Sequence, residues 1–264
     1  MKVLVTVKEV AALEEDFEIE GTSVPERYLE YDLNEWDDYA VEEAVQLQED
    51  GIAEEVVTAT IGPERSEETI RMALAKGADR AIRVWDDAIE DAGLLDVGVK
   101  TRILARIVEE EDPDLVLSGV QASDDGFSAT GVSLAATLDY QWASVVNTLD
   151  LDADAGVASV HRELEGGIEE LSEIDLPAVL TIQTGINEPR YASLRGIRQA
   201  QQKEIAHQTL DDLGFDATAV ESELTLTDMY EPETESDVTV FEGDADETAG
   251  DLAEVLRDKG VGAE

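Results

Sequence analysis

The chain has 264 residues, with 18 Lys and Arg against 64 Asp and Glu, a formal net charge of −46, 43% apolar residues and no cysteine. The missing cysteine excludes a disulfide scaffold, a thiolate zinc site, an iron–sulfur cluster and a Cys nucleophile. The charge excludes nonspecific nucleic-acid binding and disfavours anionic membrane surfaces, while the apolar fraction is enough for a real core.

From the N-terminus, Val3–Val7 is a short apolar run that predicts a strand buried on both faces. Tyr39, Ala40, Ala44 and Leu47 lie at helical spacing within Asp37–Glu49. Glu55–Ile61 is β-branched and predicts a strand, broken by Gly62-Pro63. A helix follows over Ser66–Lys76, with Ser66 able to cap it, Glu67 and Glu68 in its first turn and Gly77 at its end. Arg80–Val84 predicts a third strand, Val99–Glu111 a helix stopped before Pro113, Leu115–Ser118 a fourth strand and Ser128–Leu138 a helix.

This alternation over the first half implies a parallel sheet with right-handed crossovers, an α/β doubly wound fold. Ligands of such sheets bind beyond the carboxyl ends of the strands. That rule selects Thr6-Val7-Lys8, the loop Tyr31–Trp36, the turn Ile61-Gly62-Pro63 and the loop Gly119–Thr130.

Beyond residue 140 the pattern changes to a small β-rich extension. Ser144–Leu149, Gly156–Leu164 and Ala178–Thr184 predict strands, and Leu164–Glu169 a hairpin turn between two of them. Asn187–Leu194 is a Pro-containing loop that leads into a helix; Leu194 at its tip either anchors a partner protein or packs the loop down. From Leu210 the chain is acidic and thinly apolar, with a short helix at Glu247–Lys259. The domain reading is 1–205 for the α/β domain, including the loop near 187–196, and 206–264 for an acidic C-terminal arm.

No P-loop and no dinucleotide fingerprint is present. The best phosphate candidate is Gly119–Gly131, where glycines, Ser128 and Thr130 open a helix whose free N–H groups attract an anion. Asp124 and Asp125 there are either turn residues with carboxylates turned away or ligands of a cation. Asp37-Asp38, Glu42-Glu43 and Glu109–Glu111 read as solvated surface. His161 and His207 have no His or Cys nearby, so no metal site is expected, and no catalytic constellation emerges.

No h-region follows the first residues and no apolar run reaches membrane-span length. The dispersed acids repel one another unless salt shortens the Debye length, to about 3 Å at molar concentration. The composition therefore reads as a soluble, cytoplasmic protein of a salt-rich cell, the alternative being an acidic protein with a basic partner.

Several stretches together resemble the beta subunit of electron transfer flavoproteins. They are VLVTVKEV, DLNEWDDYAVEEAVQLQE, ATIGPERSEETIRMALAKGADRAIRV, SGVQASDDGFSATGVSLAATLDY and VHRELEGGIEELSEIDLPAVLTIQTGINEPRYASLRGIRQA. The resemblance spans roughly residues 1–205. It implies a Rossmann-like, adenine nucleotide alpha hydrolase-like sheet and an electron-carrier subunit with no acid–base machinery of its own. It implies pairing with an alpha subunit that holds most of the FAD. It also implies electrons taken from acyl-CoA or other dehydrogenases and passed to a quinone oxidoreductase.

The family's buried AMP maps to Thr6, Asn34, Glu35, Trp36, Asp37, Ile61 and the loop Gly119, Val120, Gln121, Ala122, Ser123, Asp124, Asp125, Gly126, Phe127, Ser128, Ala129 and Thr130. The docking loop maps to Tyr191 and Leu194, and the acidic arm to a surface wrapped on the alpha subunit. Glu35-Trp36 stands where Pro-Phe is common. The SDDGFSATG loop matches neither the AMP-binding nor the bifurcating variant, so a second FAD in place of AMP stays open. A universal-stress-type nucleotide-binding protein is the reading outside electron transfer.

Overall fold

The computed structural model describes residues 1–232 and 239–261. They fall into two units, one running from Met1 to Asp228 and a smaller one starting at Met229. In chain order the first unit contains β1 (Lys2–Thr6), β2 (Glu9–Leu13), β3 (Leu29–Leu33), α1 (Glu35–Glu49), β4 (Glu55–Ile61), α2 (Glu67–Lys76), β5 (Arg80–Val84), α3 (Asp87–Asp91), α4 (Val97–Glu111), β6 (Leu115–Gly119) and α5 (Thr130–Leu138). It continues with β7 (Gln141–Val146), β8 (Thr148–Asp152), β9 (Val157–Leu164), β10 (Ile168–Asp175), β11 (Ala178–Ile182), α6 (Leu194–Ala200) and β12 (Ile205–Gln208). The second unit contains α7 (Ala245–Asp258).

Seven strands form one sheet in the order β12-β5-β4-β1-β6-β11-β7, and every pair in it is parallel. The expected α/β doubly wound sheet is what the chain forms. Parallel strands are covered on both faces, so successive residues enter opposite cores. Val3 and Val5 pack with α1 and α2 side chains such as Val41, Ala44 and Ile70. Leu4 points the other way, toward Ile103 and Ile107 of α4 and Leu134 of α5.

Several elements differ from the sequence reading. Ser66 does not cap α2; its hydroxyl donates to Glu9 Oε1 at 3.0 Å, and a 3₁₀ turn over Glu64–Ser66 enters the helix instead. The predicted strand Ser144–Leu149 is divided between β7 and β8. Val145 has φ +62°, its N–H donates to Thr181 Oγ1 at 3.0 Å, and the register with β11 shifts there. A bulge of this kind bends the chain, here out of the large sheet into the antiparallel sheet β10-β9-β8. The hairpin turn lies where expected, with Gly166 and Gly167 both at positive φ, but its second arm is β10 rather than Ala178–Thr184.

The chain after residue 205 still packs on the first unit. β12 pairs with β5 at the sheet edge, and Leu210, Leu213 and Val220 are buried among α4 residues and their neighbours. The first unit therefore continues to Asp228. In the second unit, Asp244 and Glu247 form a capping box at the start of α7. No helix among the described residues is long and apolar enough to cross a membrane.

Candidate functional site

β1 lies at the switch point of the sheet, with β4 on one side and β6 on the other. In such sheets the chains leaving the carboxyl ends diverge there and leave a crevice. A cavity of about 420 Å³ opens at this place, within the size range of small-ligand sites. From the sequence-selected residues it is lined by Thr6, Asn34, Asp37, Ile61, Gly119, Val120, Gln121, Ala122, Asp124, Asp125, Phe127, Ser128, Ala129 and Thr130. Glu35, Trp36, Ser123 and Gly126 are not part of its wall. Trp36 turns its indole N–H to Gln183 Oε1 at 3.0 Å, Glu35 is exposed, and Gly126 serves the loop with φ +60°.

The start of α1 fixes the floor. Asn34 precedes the helix but makes no side-chain cap; its amide Nδ2 donates instead to the carbonyl of Gln121 at 2.8 Å. Asp37, in the first turn, accepts the Lys8 N–H at Oδ2 (2.8 Å) and the Gly119 N–H at Oδ1 (3.0 Å). One buried carboxyl thus joins the ends of β1 and β6. Burial pushes it up to about 7, against the downward pull of the Lys8 and Gly119 amides, the Asn34 side chain and the Lys8 charge. Asn34 Oδ1 is buried without a hydrogen-bond partner, which leaves one acceptor in the wall for a ligand donor.

Asp124 and Asp125 resolve into ion-pair residues. Lys8 Nζ meets Asp124 Oδ1 at 2.5 Å and Asp125 Oδ2 at 2.8 Å, and Lys100 Nζ meets Asp125 Oδ2 at 2.6 Å. Burial alone would raise Asp125, but the bonds from Lys100 and Lys8 hold it below the usual carboxylate range. Lys100 also lies 4.9 Å from the centre of the Phe127 ring. α5 begins behind this loop with no side-chain cap, so its first N–H groups remain available to an anion. Among the described residues no cluster of three or more His, Asp or Glu gathers as for a metal.

The wall also includes Arg65, Leu94, Leu95, Lys100 and Leu104, which the sequence reading did not assign. Lys100 offered a signal. It stands in the first turn of α4, where the helix dipole disfavours a cation, and that turn is set by Asp96 accepting the Val99 N–H at 2.9 Å.

The carboxylates read as solvated surface are mostly engaged. Asp37, Glu42 and Glu43 are buried, Asp38 pairs with Lys76, and Glu111 pairs with Arg80 at 2.5 Å. Their sequence neighbours are acids too, so composition alone could not separate them from the surface. By contrast, Tyr191 (99% exposed) and Leu194 (79%) stand out from the fold; Leu194 opens α6 rather than sitting on a loop tip.

The electron transfer flavoprotein domain matches residues 22–213. An electron transfer flavoprotein subunit beta of Methylophilus methylotrophus is 47% identical over 264 residues, 98% of each chain. Those of Sus scrofa and Homo sapiens are each 37% identical, again over 98% of each chain. With a family domain spanning most of the chain and relatives aligned nearly end to end, the chain belongs to the electron transfer flavoprotein family, on its beta-subunit side, and its role is in electron transfer.

Proposed function

We propose that this chain pairs with an alpha subunit to form a heterodimeric electron carrier, and that its switch-point cavity holds AMP. The carrier accepts electrons from dehydrogenases such as acyl-CoA dehydrogenases and delivers them to a quinone oxidoreductase. The observation that carries the nucleotide assignment is the cavity itself. Its loop opens an uncapped helix start, two lysines stand in its wall, and one buried amide acceptor, Asn34 Oδ1, has no partner. A phosphate suits the helix start and the lysines, and an adenine amine suits the acceptor. Thr6, Asn34 and the Gly119–Thr130 loop would hold it.

FAD, supplied mainly by the alpha subunit, provides the redox chemistry when bound. The residues of this chain bind, orient and dock. A second FAD here would add a ribityl-isoalloxazine and a further phosphate to what the cavity must contain, so the cavity's size supports the smaller nucleotide. Tyr191 and Leu194 are the docking residues for the dehydrogenase: a solvent-exposed aromatic and a leucine gain most when a partner's pocket desolvates them. The acidic C-terminal unit, with Leu252 and Leu256 exposed on α7, supplies an apolar helix stripe for the alpha subunit. The net charge of −46 suits a salt-rich cytoplasm, where screening relieves self-repulsion.

The assignment is tested by co-expressing the chain with its alpha subunit in molar KCl and identifying the nucleotides released on denaturation. The expected result is one FAD and one AMP per heterodimer. Two FAD and no AMP would indicate the bifurcating form. Absence of both complex and flavin would overturn the heterodimeric-carrier reading. A second expectation concerns Leu194→Ala, which should keep both nucleotides and lose about tenfold in electron acceptance from acyl-CoA dehydrogenase, the effect of one hot-spot side chain. Unchanged kinetics would remove Leu194 from the docking surface.

A further inference from the structure

The exposed pair Tyr191 and Leu194 is separated by only two residues, yet the chain on either side is fixed. On one side, Arg190 grips two carboxylates of α1. Its Nε donates to Glu42 Oε2 at 2.8 Å and its Nη2 to Glu42 Oε1 at 3.0 Å. Its Nη1 and Nη2 reach Glu49 Oε1 and Oε2 at 2.7 and 2.8 Å, and its backbone N–H donates to Glu42 Oε2 at 3.1 Å. Three residues upstream, Asn187 Nδ2 donates to the Tyr39 carbonyl and to Glu43 Oε2.

On the other side, Ser193 Oγ accepts the Gly196 N–H at 3.0 Å and so caps α6. Gly196 lies so close to the Ala75 carbonyl of α2 that a Cβ would collide with it.

This clamp is stronger than an ordinary surface pair. The Glu42 side chain is 4% exposed, and both pairings are two-pronged, the geometry that guanidinium and carboxylate share. Burial alone would raise Glu42, but the Arg190 and Gln46 bonds hold it below the usual carboxylate range. Glu49 is lowered by the same guanidinium. A segment with two exposed apolar residues and no such joints would sample many conformations and lose that freedom on binding.

We propose that Arg190 is a positioning residue for docking: its grip on Glu42 and Glu49 presents Tyr191 and Leu194 to the partner dehydrogenase in their bound arrangement. The inference rests on the docking reading above. The alpha–beta heterodimer is tested as electron acceptor from acyl-CoA dehydrogenase, with Arg190→Ala, Arg190→Lys, Glu49→Gln, Leu194→Ala and the Arg190→Ala/Leu194→Ala pair. Arg190→Ala raises the KM for the heterodimer about tenfold and leaves kcat, flavin content and nucleotide content unchanged.

Lysine cannot form two forks at once, so Arg190→Lys recovers only part of the loss. Glu49→Gln, which keeps the Glu42 fork, raises KM by about threefold and carries the test if Arg190→Ala fails to assemble. Because Arg190 acts through the exposed pair, the double variant loses no more than the larger single loss.

Additive losses, or a loss confined to kcat, would overturn the proposal. So would an unaffected Arg190→Ala or Glu49→Gln beside an impaired Leu194→Ala. If Leu194→Ala and Arg190→Ala are both without effect, the docking reading itself falls.

Discussion

Gly119→Ala should lower the unfolding free energy by about 3 kcal/mol, from overpacking and a broken buried hydrogen bond together, and should yield a heterodimer without nucleotide in the switch-point cavity. Gly119 ends β6, and a Cβ there would lie 2.5 Å from Asp37 Oδ1, 2.7 Å from Trp36 Cβ and 3.0 Å from the Asp37 nitrogen. None of these is the loose end of a flexible side chain. Asp37 is held by the Lys8 and Gly119 amides, and Trp36 by Gln183. Relief therefore requires the first turn of α1 to retreat. That turn carries Asn34, whose amide holds the Gln121 carbonyl of the phosphate-loop candidate, so the cavity floor and its loop move together. Denaturant unfolding and nucleotide release on the same preparation check both effects. An unchanged midpoint with full nucleotide content would mean that α1 yields without cost and that Gly119 has no special place in the site.

The parts of the fold that were legible are those in which one physical rule dominates. β4 and β5 match their predicted bounds, β4 because a strand buried on both faces reads as a nearly unbroken, β-branched run. The crossover helices followed from spacing and from breakers such as Gly77 and Pro113. The carboxyl-end rule points to the same segments that line the cavity. Elements decided by long-range partners were not legible. β12 reads Ile-Ala-His-Gln, a polar edge strand recognisable only once β5 lies beside it. β10 places Ile168, Leu171 and Ile174 three residues apart rather than at the strand period of two, and it is exposed along much of its length, so neither pattern nor burial marks it. β2 and β3 are a hairpin separated by a long acidic loop, without the tight turn that would have announced it.

At the site, Arg65 and Lys100 reach the cavity from other crossovers, which local sequence cannot place. The sequence reading also missed that Glu42 and Glu49 are structural. In a chain this acidic, a carboxylate that holds an arginine looks the same as one that holds only water.

Asp37 should give the protein an unusual pH dependence, opposite in sign to that of its paired acids. The ordinary value for this carboxyl is 3.8, and burial raises it to about 7 in the folded chain. Well below pH 4 both folded and unfolded states hold the proton, and the group contributes nothing to the balance. Between about 4 and 7 the unfolded chain releases it while the folded chain keeps it, so stability falls as pH rises, by at most about 4 kcal/mol for a shift of this size. Glu42, Glu111 and Asp125 act the other way. Their folded values are depressed, so their contribution is present above their unfolded values and is lost at more acid pH.

Comparison with Asp37→Asn isolates the one group. The amide offers one acceptor where the carboxyl serves two backbone N–H donors, so the variant should be less stable than the parent near pH 4, by about 2 kcal/mol. Toward pH 8 the parent loses its advantage and the gap should close or reverse. Urea unfolding of both forms across that range, in molar KCl to screen the surface acids, measures the gap directly. Parallel curves would show that the carboxyl is ionised throughout and that the Lys8 and Gly119 amides outweigh its burial. A converging gap would place a titrating proton directly beneath the switch-point cavity. Retention of an anionic ligand should then weaken over the same pH range, because an ionised Asp37 adds a negative charge to the cavity wall.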